Sequence, residues 1–474
     1  MLFEVEINTN RRFQKGKIVR MKTVSFYSFK GGVGRSLALA YMAKYLAERG
    51  LKVCILDVDL EAPGVIYKFF DRPTHDKLGV LDYIRICMES KAPDSIKDYF
   101  YEVSGLNSES GNIKVMSAGQ KLDGAYWKIL SQIDWRNLFK GDNNIGLGIF
   151  ENLKKQIESQ ISPDYLFIDS RSGVTVLSKV CSAVLSDVTI MLMANNSENF
   201  HGAKLMYKYI ASSRFKSKSK KTDVFCVLTR IPVPTEDSPQ ESDLIGKLVT
   251  EISDPHLQNT DVTVIHSDSR AEFDEYTVLQ NVMSDKQNSV IQDDYFRLIV
   301  KIDPEMIDKM LDKKLDESQP NVSSKQRFPG TTKNMRIDPR VLVINNFLHA
   351  GDTIADFSAT ASLDMDGKSH FAVKVLELSA GGLLFQSGIQ YKIGDSLRFK
   401  LRIDPLHHGG IGVGFYNTII MDIKAVIKTH REDAEKYTYG VKFTGISNSD
   451  KIRLDEFVRF TIFKYMLDDD KFLR

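Results

Sequence analysis

Two groups of residues in this chain have types and spacings that could do chemistry. The first is Lys30-Gly31-Gly32-Val33-Gly34-Arg35-Ser36-Leu37. Its glycines let backbone N–H groups approach an anion such as a phosphate, and a helix opening there would add partial positive charge. Ser36 supplies a hydroxyl for a magnesium ion bridging the phosphates. Downstream, Asp57 and Asp59 alternate onto the same side of a strand end, where a parallel sheet collects its ligands, and Asp169 closes an apolar strand. The second group is carboxy-terminal: Arg336 and Arg340, followed by Glu377, Ser379 and Gly382.

Elements able to position the first group are legible around it. Thr23–Tyr27 is short, β-branched and aromatic, and reads as a strand. Leu39, Met42, Ala43 and Leu46 recur at helical spacing, with Gly50 placed to end the helix in the left-handed conformation. Val53–Leu56, Tyr165–Ile168, Val188–Met193, Val224–Leu228 and Val262–Ile265 are apolar runs of the kind found in strands buried on both faces. A helix carrying Ile149, Phe150, Leu153, Ile157 and Ile161 ends before Pro163. Such alternation implies a doubly wound, mainly parallel α/β sheet. Trp127 and Trp135 read as packing residues.

Residues 30–36 resemble the deviant Walker A motif of the ParA/MinD family of P-loop ATPases, over roughly residues 20–300. The resemblance implies ATP and Mg2+ as ligands, with Gly31, Gly32, Val33, Gly34, Arg35, Ser36 and Leu37 around the phosphates and Thr229 and Arg230 where the family reads adenine. It implies that Lys30, the family's signature lysine, reaches across a homodimer interface to the partner's nucleotide. It assigns Asp59 in switch I to water activation, Asp57 to the metal's hydration shell, and Asp169 to the Walker B carboxylate that orients magnesium with Ser36. Two departures stand out. Arg35 replaces the P-loop lysine, bringing a planar fork in place of a point charge. Ser170-Arg171-Ser172-Gly173 replaces the usual threonine and prolines of switch II.

Composition limits the alternatives. With 474 residues, 42% hydrophobic and 27% charged, the chain reads as a globular protein of two to three domains. A formal net charge of +2 makes no case for nucleic acid or membrane. The basic run from Arg214 to Lys221 reads as a solvated loop, with non-specific DNA contact as the alternative. Four cysteines without C-x-x-C spacing indicate neither zinc nor a disulfide framework. No apolar run approaches the ~18 residues of a membrane span, and the amino terminus lacks a signal-peptide core, so a cytoplasmic location is expected.

At residues 317–333 the composition turns to Ser, Gln, Pro, Asn, Gly and Lys, which reads as a linker between a domain at 1–316 and another at 334–474. In the latter, Leu397, Phe399, Leu401 and Ile403 alternate with Arg398, Lys400 and Arg402, and Tyr437–Phe443 and Ile423–Ile427 alternate likewise. Several such strands predict a small antiparallel barrel, with a closing helix carrying Leu454 and Phe457. Val341–Asp352 reads as a long stretch ahead of the first clear strand. Arg336-Ile-Asp-Pro-Arg340, Glu377-Leu-Ser379-Ala-Gly-Gly382 and Tyr439–Thr444 resemble elements of PilZ, the bacterial receptor module for cyclic di-GMP. The resemblance implies that Arg336 and Arg340 clamp phosphates and stack on guanine, with Glu377, Ser379 and Gly382 at the bases; Glu377 departs from the usual Asp or Asn. His407 and His408 have no evident metal partner.

Together these readings predict a bacterial nucleotide switch that dimerises with ATP and is biased by cyclic di-GMP. The alternative is a non-hydrolysing scaffold whose PilZ module binds an unknown protein partner. A bacterial tyrosine kinase, which shares the Walker motifs, ranks behind both because the carboxy terminus has no tyrosine cluster.

Overall fold

The apolar runs read from the sequence form an eight-stranded sheet in the order β3-β4-β2-β5-β1-β6-β7-β8. Its strands are β1 (Lys22–Ser28), β2 (Lys52–Asp57), β3 (Tyr101–Glu102), β4 (Asn112–Met116), β5 (Tyr165–Asp169), β6 (Val188–Ala194), β7 (Asp223–Ile231) and β8 (Val262–His266). The short edge strand β3 is antiparallel to β4, and the other neighbours run parallel. Every residue of β5 is buried, as a central strand with helices on both faces requires. Register places Asp57 and Phe26 on either side of Asp169. Two carboxylates thus stand side by side at the C-terminal ends of adjacent strands, next to the point where the chain leaves β1.

Our computed structural model describes residues 21–104, 106, 111–140, 145–211, 222–233, 241–255, 257–258, 261–267, 276, 279, 289–303, 341–344, 347–350, 353–364, 370–379, 381–387, 389–405, 419–433, 436–447, 450–451, 454 and 457. They fall into two compact units, one within residues 16–302 and one within 303–474. The expected linker at 317–333, the basic run at 214–221, Arg336, Arg340, His407 and His408 lie outside the described residues.

Helix α1 (Arg35–Ala47) follows the glycine-rich turn and ends at Gly50, whose φ of 83° is the left-handed geometry the sequence foretold. The helix at Ile145–Gln160 presents Ile149, Phe150, Leu153 and Ile157 to one hydrophobic cluster, which also gathers Leu56, Ile84 and Leu166. A second cluster joins Met191, Phe200, Met206, Cys226 and Leu228. Trp135 packs against the first cluster as expected, but Trp127 does not behave as a packing residue. It is 43% exposed, its ring edge-on to that of Tyr126 at 5.2 Å.

The carboxy-terminal unit is a closed antiparallel barrel in the order β10-β11-β14-β15-β16-β13-β12-β9, with β9 pairing back onto β10. The strands are β9 (Val341–Ile344), β10 (Phe347–Ala350), β11 (Thr353–Asp364), β12 (His370–Ser379), β13 (Gly382–Ser387), β14 (Ser396–Pro405), β15 (Ile419–Asp433) and β16 (Lys436–Gly445). Period-two alternation sets the faces: Leu397, Phe399, Leu401 and Ile403 are buried, whereas Arg398, Lys400 and Arg402 are exposed. Phe385 meets Phe399 edge-on at 5.2 Å and lies 5.4 Å from Tyr439, whose hydroxyl donates to the Ile389 carbonyl at 3.2 Å. The segment expected to precede the first strand instead contributes β9 and β10. Each is only four residues long, too short for alternation to register in the sequence.

Candidate functional site

The glycine-rich turn joins β1 to α1 in the way an anion cradle requires. Gly32 and Gly34 have φ of 74° and 80°, a region costly for residues with a Cβ. A Cβ added at Gly31, Gly32 or Gly34 would meet nothing within 4 Å, so packing requires glycine at none of them; at Gly32 and Gly34 the backbone conformation does. Gly34 is the N-cap of α1 and no side chain caps that end, leaving its first amides directed at the turn. The turn is held from β7: the Thr229 hydroxyl donates to the Val33 carbonyl at 2.8 Å, and Arg230 donates through Nη1 to the Gly32 carbonyl at 3.1 Å. Arg230 itself has φ of 60°.

Arg35 points away from the turn and into the carboxylates. Its Nε donates to Asp169 Oδ1 at 2.6 Å and its Nη2 to Asp59 Oδ2 at 2.5 Å, while Nη1 lies 3.4 Å from the Ser28 hydroxyl. Arg35, Asp59 and Asp169 are all buried. Burial acts to lower the guanidinium pKa, but the adjacent Asp169 and Asp59 outweigh it and hold the group above its ordinary value. Ser36 donates to the other oxygen of Asp169, Oδ2, at 2.6 Å.

Asp57 is held differently. Its Oδ1 accepts from the Asp59 amide at 3.2 Å, and its Oδ2 from the Gly64 and Val65 amides at 3.1 and 3.3 Å. These bonds fasten the turn after β2 to the start of the short helix Val65–Lys68. Burial, then the charges of Asp169 and Asp59, push the Asp57 carboxyl well above the usual range; the Gly64 and Val65 amides pull the other way. Lys68, on that short helix, also lies within the field of Asp169, although burial lowers its own pKa.

Two further ion pairs surround the turn. Lys30 meets Glu198 at 2.5 Å, with both side chains well exposed; Glu198 sits in the first turn of the helix Ser197–Ala211. Arg171, which follows the β5 carboxylate, pairs with Glu61 in the loop after β2. Ser170 and Gly173 on either side of it donate backbone hydrogen bonds to the Phe26 and Ser28 carbonyls, at 3.0 and 3.1 Å. Glu61 and Glu198 had no signal in the sequence, because each finds its partner across a long chain separation.

A magnesium ion fits part of this arrangement. The Ser36 hydroxyl and Asp169 converge as such a site requires, whereas Asp59 is taken by Arg35 and Asp57 by backbone amides. Among the described residues no group of three or more His, Cys, Asp or Glu side chains is arranged to hold a metal.

In the barrel, backbone register brings together one part of the second residue group. Ser379 pairs with Gly382 across the β12–β13 turn, and Glu377 pairs with Leu384 on one side and Leu342 of β9 on the other. Val341, the residue after Arg340, pairs with Leu378. A Cβ at Gly382 would fall 2.1 Å from the Val441 carbonyl oxygen of β16.

A parallel sheet with a glycine-rich turn and carboxylates at its C-terminal edge defines a P-loop NTPase. In the first domain, residues 20–139 match the ParA family model described as "NUBPL iron-transfer P-loop NTPase". The second is a PilZ domain, matched over residues 352–460. No curated protein matches the chain. Among solved structures it is similar to a ParA family ATPase from Chlorobium tepidum (14% identity, 58% of this chain and 96% of that one, TM-score 0.41). It is also similar to an McdA–ATP complex from Cyanothece (14%, 60% and 96%, 0.43). A third is the Bacillus subtilis inhibitor of motility MotI/DgrA (18%, 26% and 49%, 0.18). Among the described residues no helix is long and apolar enough to cross a membrane.

Proposed function

We propose that the chain is an ATP-dependent dimerisation switch whose state is biased by cyclic di-GMP at the PilZ domain. The observation that carries the nucleotide half is the uncapped start of α1 beneath Gly31, Gly32 and Gly34, with Ser36 and Asp169 beside it. Phosphates take the backbone amides of residues 31–37. A magnesium ion would meet Ser36 and the Asp169 oxygen not paired with Arg35, and would supply neutralisation of phosphate charge, while Asp57 fixes the loop that carries Asp59. Thr229 and Arg230 stand at the end of β7, where the adenine would lie. Lys30 is exposed and held by a surface pair with Glu198 and a 5.8 Å cation–π contact with the Phe29 ring, both weak enough for it to turn to a second protomer's nucleotide.

Lys30→Ala should therefore leave ATP affinity within about threefold and abolish ATP-dependent self-association. Light scattering on an Asp59→Ala background, where hydrolysis is blocked, is the sensitive assay; a background that stays monomeric at saturating ATP removes the dimer. A second reading, a scaffold that binds ATP and turns it over very slowly, is favoured by the capture of Asp59 by Arg35. Magnesium-dependent phosphate release separates the two.

For the barrel, Glu377, Ser379 and Gly382 gather on one turn beside the strand that follows Arg340. A charge-assisted contact contributes roughly 1.5–3 kcal/mol, so Arg336→Ala or Arg340→Ala should each weaken cyclic di-GMP at least about tenfold. A titration of the full chain measures this. Indifference to both substitutions would point to a protein-binding module.

A further inference from the structure

We infer that Arg35 serves the nucleotide pocket as a built-in cation, bridging Asp59 and Asp169 in the place a divalent metal would occupy, so that ATP binds with little dependence on magnesium. This rests on the nucleotide-switch reading and concerns the same pocket.

Three buried carboxylates, Asp57, Asp59 and Asp169, stand at the edge of a site meant for a polyanion. Left uncompensated they would repel a triphosphate, and a metal would have to neutralise both sides. Here the guanidinium forms one hydrogen-bonded ion pair with each of two carboxylates, at 2.5 and 2.6 Å. Its planar fork suits that geometry, because separate N–H groups can serve separate oxygens. An ammonium at the same position gathers its donors on one nitrogen and lacks the spread by which Nε and Nη2 reach two separate carboxylates here. Arg35 is also anchored to the Ser28 hydroxyl at the end of β1, which keeps the head group on the carboxylate side of the turn. The phosphate seat is then served by backbone amides and the helix N-terminus, which are present with or without metal.

Calorimetric titration of the full chain with ATP, in saturating magnesium and in EDTA, tests this. Wild-type dissociation constants in the two conditions are expected to agree within about threefold. Arg35→Lys should bind about tenfold or more weakly in EDTA than in magnesium. A wild-type loss of about tenfold or more in EDTA overturns the inference while leaving the nucleotide site standing. So does an Arg35→Lys chain as indifferent to EDTA as the wild type. No saturable heat in either condition removes the nucleotide site, and the inference with it. Should Arg35→Lys fail to fold, magnesium alone added to the nucleotide-free wild-type chain gives a second measurement. An unchanged melting temperature is expected, and a saturable rise overturns the inference.

Discussion

Arg35→Ala should lower the melting temperature of the amino-terminal domain by roughly 10 °C. Removing one partner from a buried ion pair costs about 3–5 kcal/mol, because the charges left behind are neither solvated nor paired. A domain of this size loses about 2–4 °C for each kcal/mol. Arg35 answers two carboxylates at once, and both are almost fully buried, so solvent screening gives little relief. The substitution leaves Asp59 and Asp169 facing Asp57 without the guanidinium between them. Adding Asp59→Asn and Asp169→Asn to Arg35→Ala should recover part of the loss, since the uncompensated charge is removed along with the cation. Differential scanning calorimetry of the three chains measures the effect. A drop of less than about 2 °C for Arg35→Ala would mean that Arg35 is held by packing and its ion pairs are energetically idle.

The second large effect is expected in the barrel. Gly382→Ala places a methyl group 2.1 Å from the Val441 carbonyl oxygen, far inside van der Waals contact and against backbone that has no rotamer to retreat into. Strands β13 and β16 pair directly here, Gly382 with Lys442 and Leu383 with Val441. They must separate locally or lose bonds. Overpacking typically costs about 1–3 kcal/mol, and a domain of about 100 residues moves about 4–8 °C per kcal/mol, so the PilZ transition should fall by roughly 10 °C. Ile393→Ala, at a 59% exposed position of the same domain, is the control and should change stability by no more than about 0.5 kcal/mol. If Gly382→Ala melts normally yet no longer binds cyclic di-GMP, the glycine acts at the ligand rather than at the strand pair.

The parts of the fold that follow from periodicity were legible in the chain. Apolar runs such as Tyr165–Ile168 fit interior strands when bounded by turn residues, and the alternation at Leu397–Ile403 fits a strand with one wet face. The convergence of Asp57, Asp59 and Asp169 was legible too, because parallel strands deliver their C-terminal residues to a common edge. What a sequence does not carry is the direction a long side chain takes. Arg35 could have reached the phosphates or the carboxylates from the same backbone position, and only the packed structure places it between Asp59 and Asp169. The pairs Lys30–Glu198 and Arg171–Glu61 belong to the same class, joined by tertiary packing rather than local spacing. Trp127 is the converse: an aromatic type that suggests burial, left exposed because its neighbour Tyr126 fills the core and donates to the Leu60 carbonyl.

The tether from β7 to the glycine-rich turn has a consequence for timing. Thr229 and Arg230 fasten the carbonyls of Val33 and Gly32, so the loop is already ordered when its ligand arrives. The conformational entropy of fixing that backbone is met during folding and is not subtracted from the binding free energy. Arg230 is held in the left-handed region, a conformation of order 1–3 kcal/mol above the ordinary ones, which persists only because its surroundings determine it. That stored strain resides in the clasp rather than in the loop. On the nucleotide-switch reading, release proceeds by relaxation at Arg230, and residence is set from β7, two strands away from β1 in the sheet, apart from the amides of the turn.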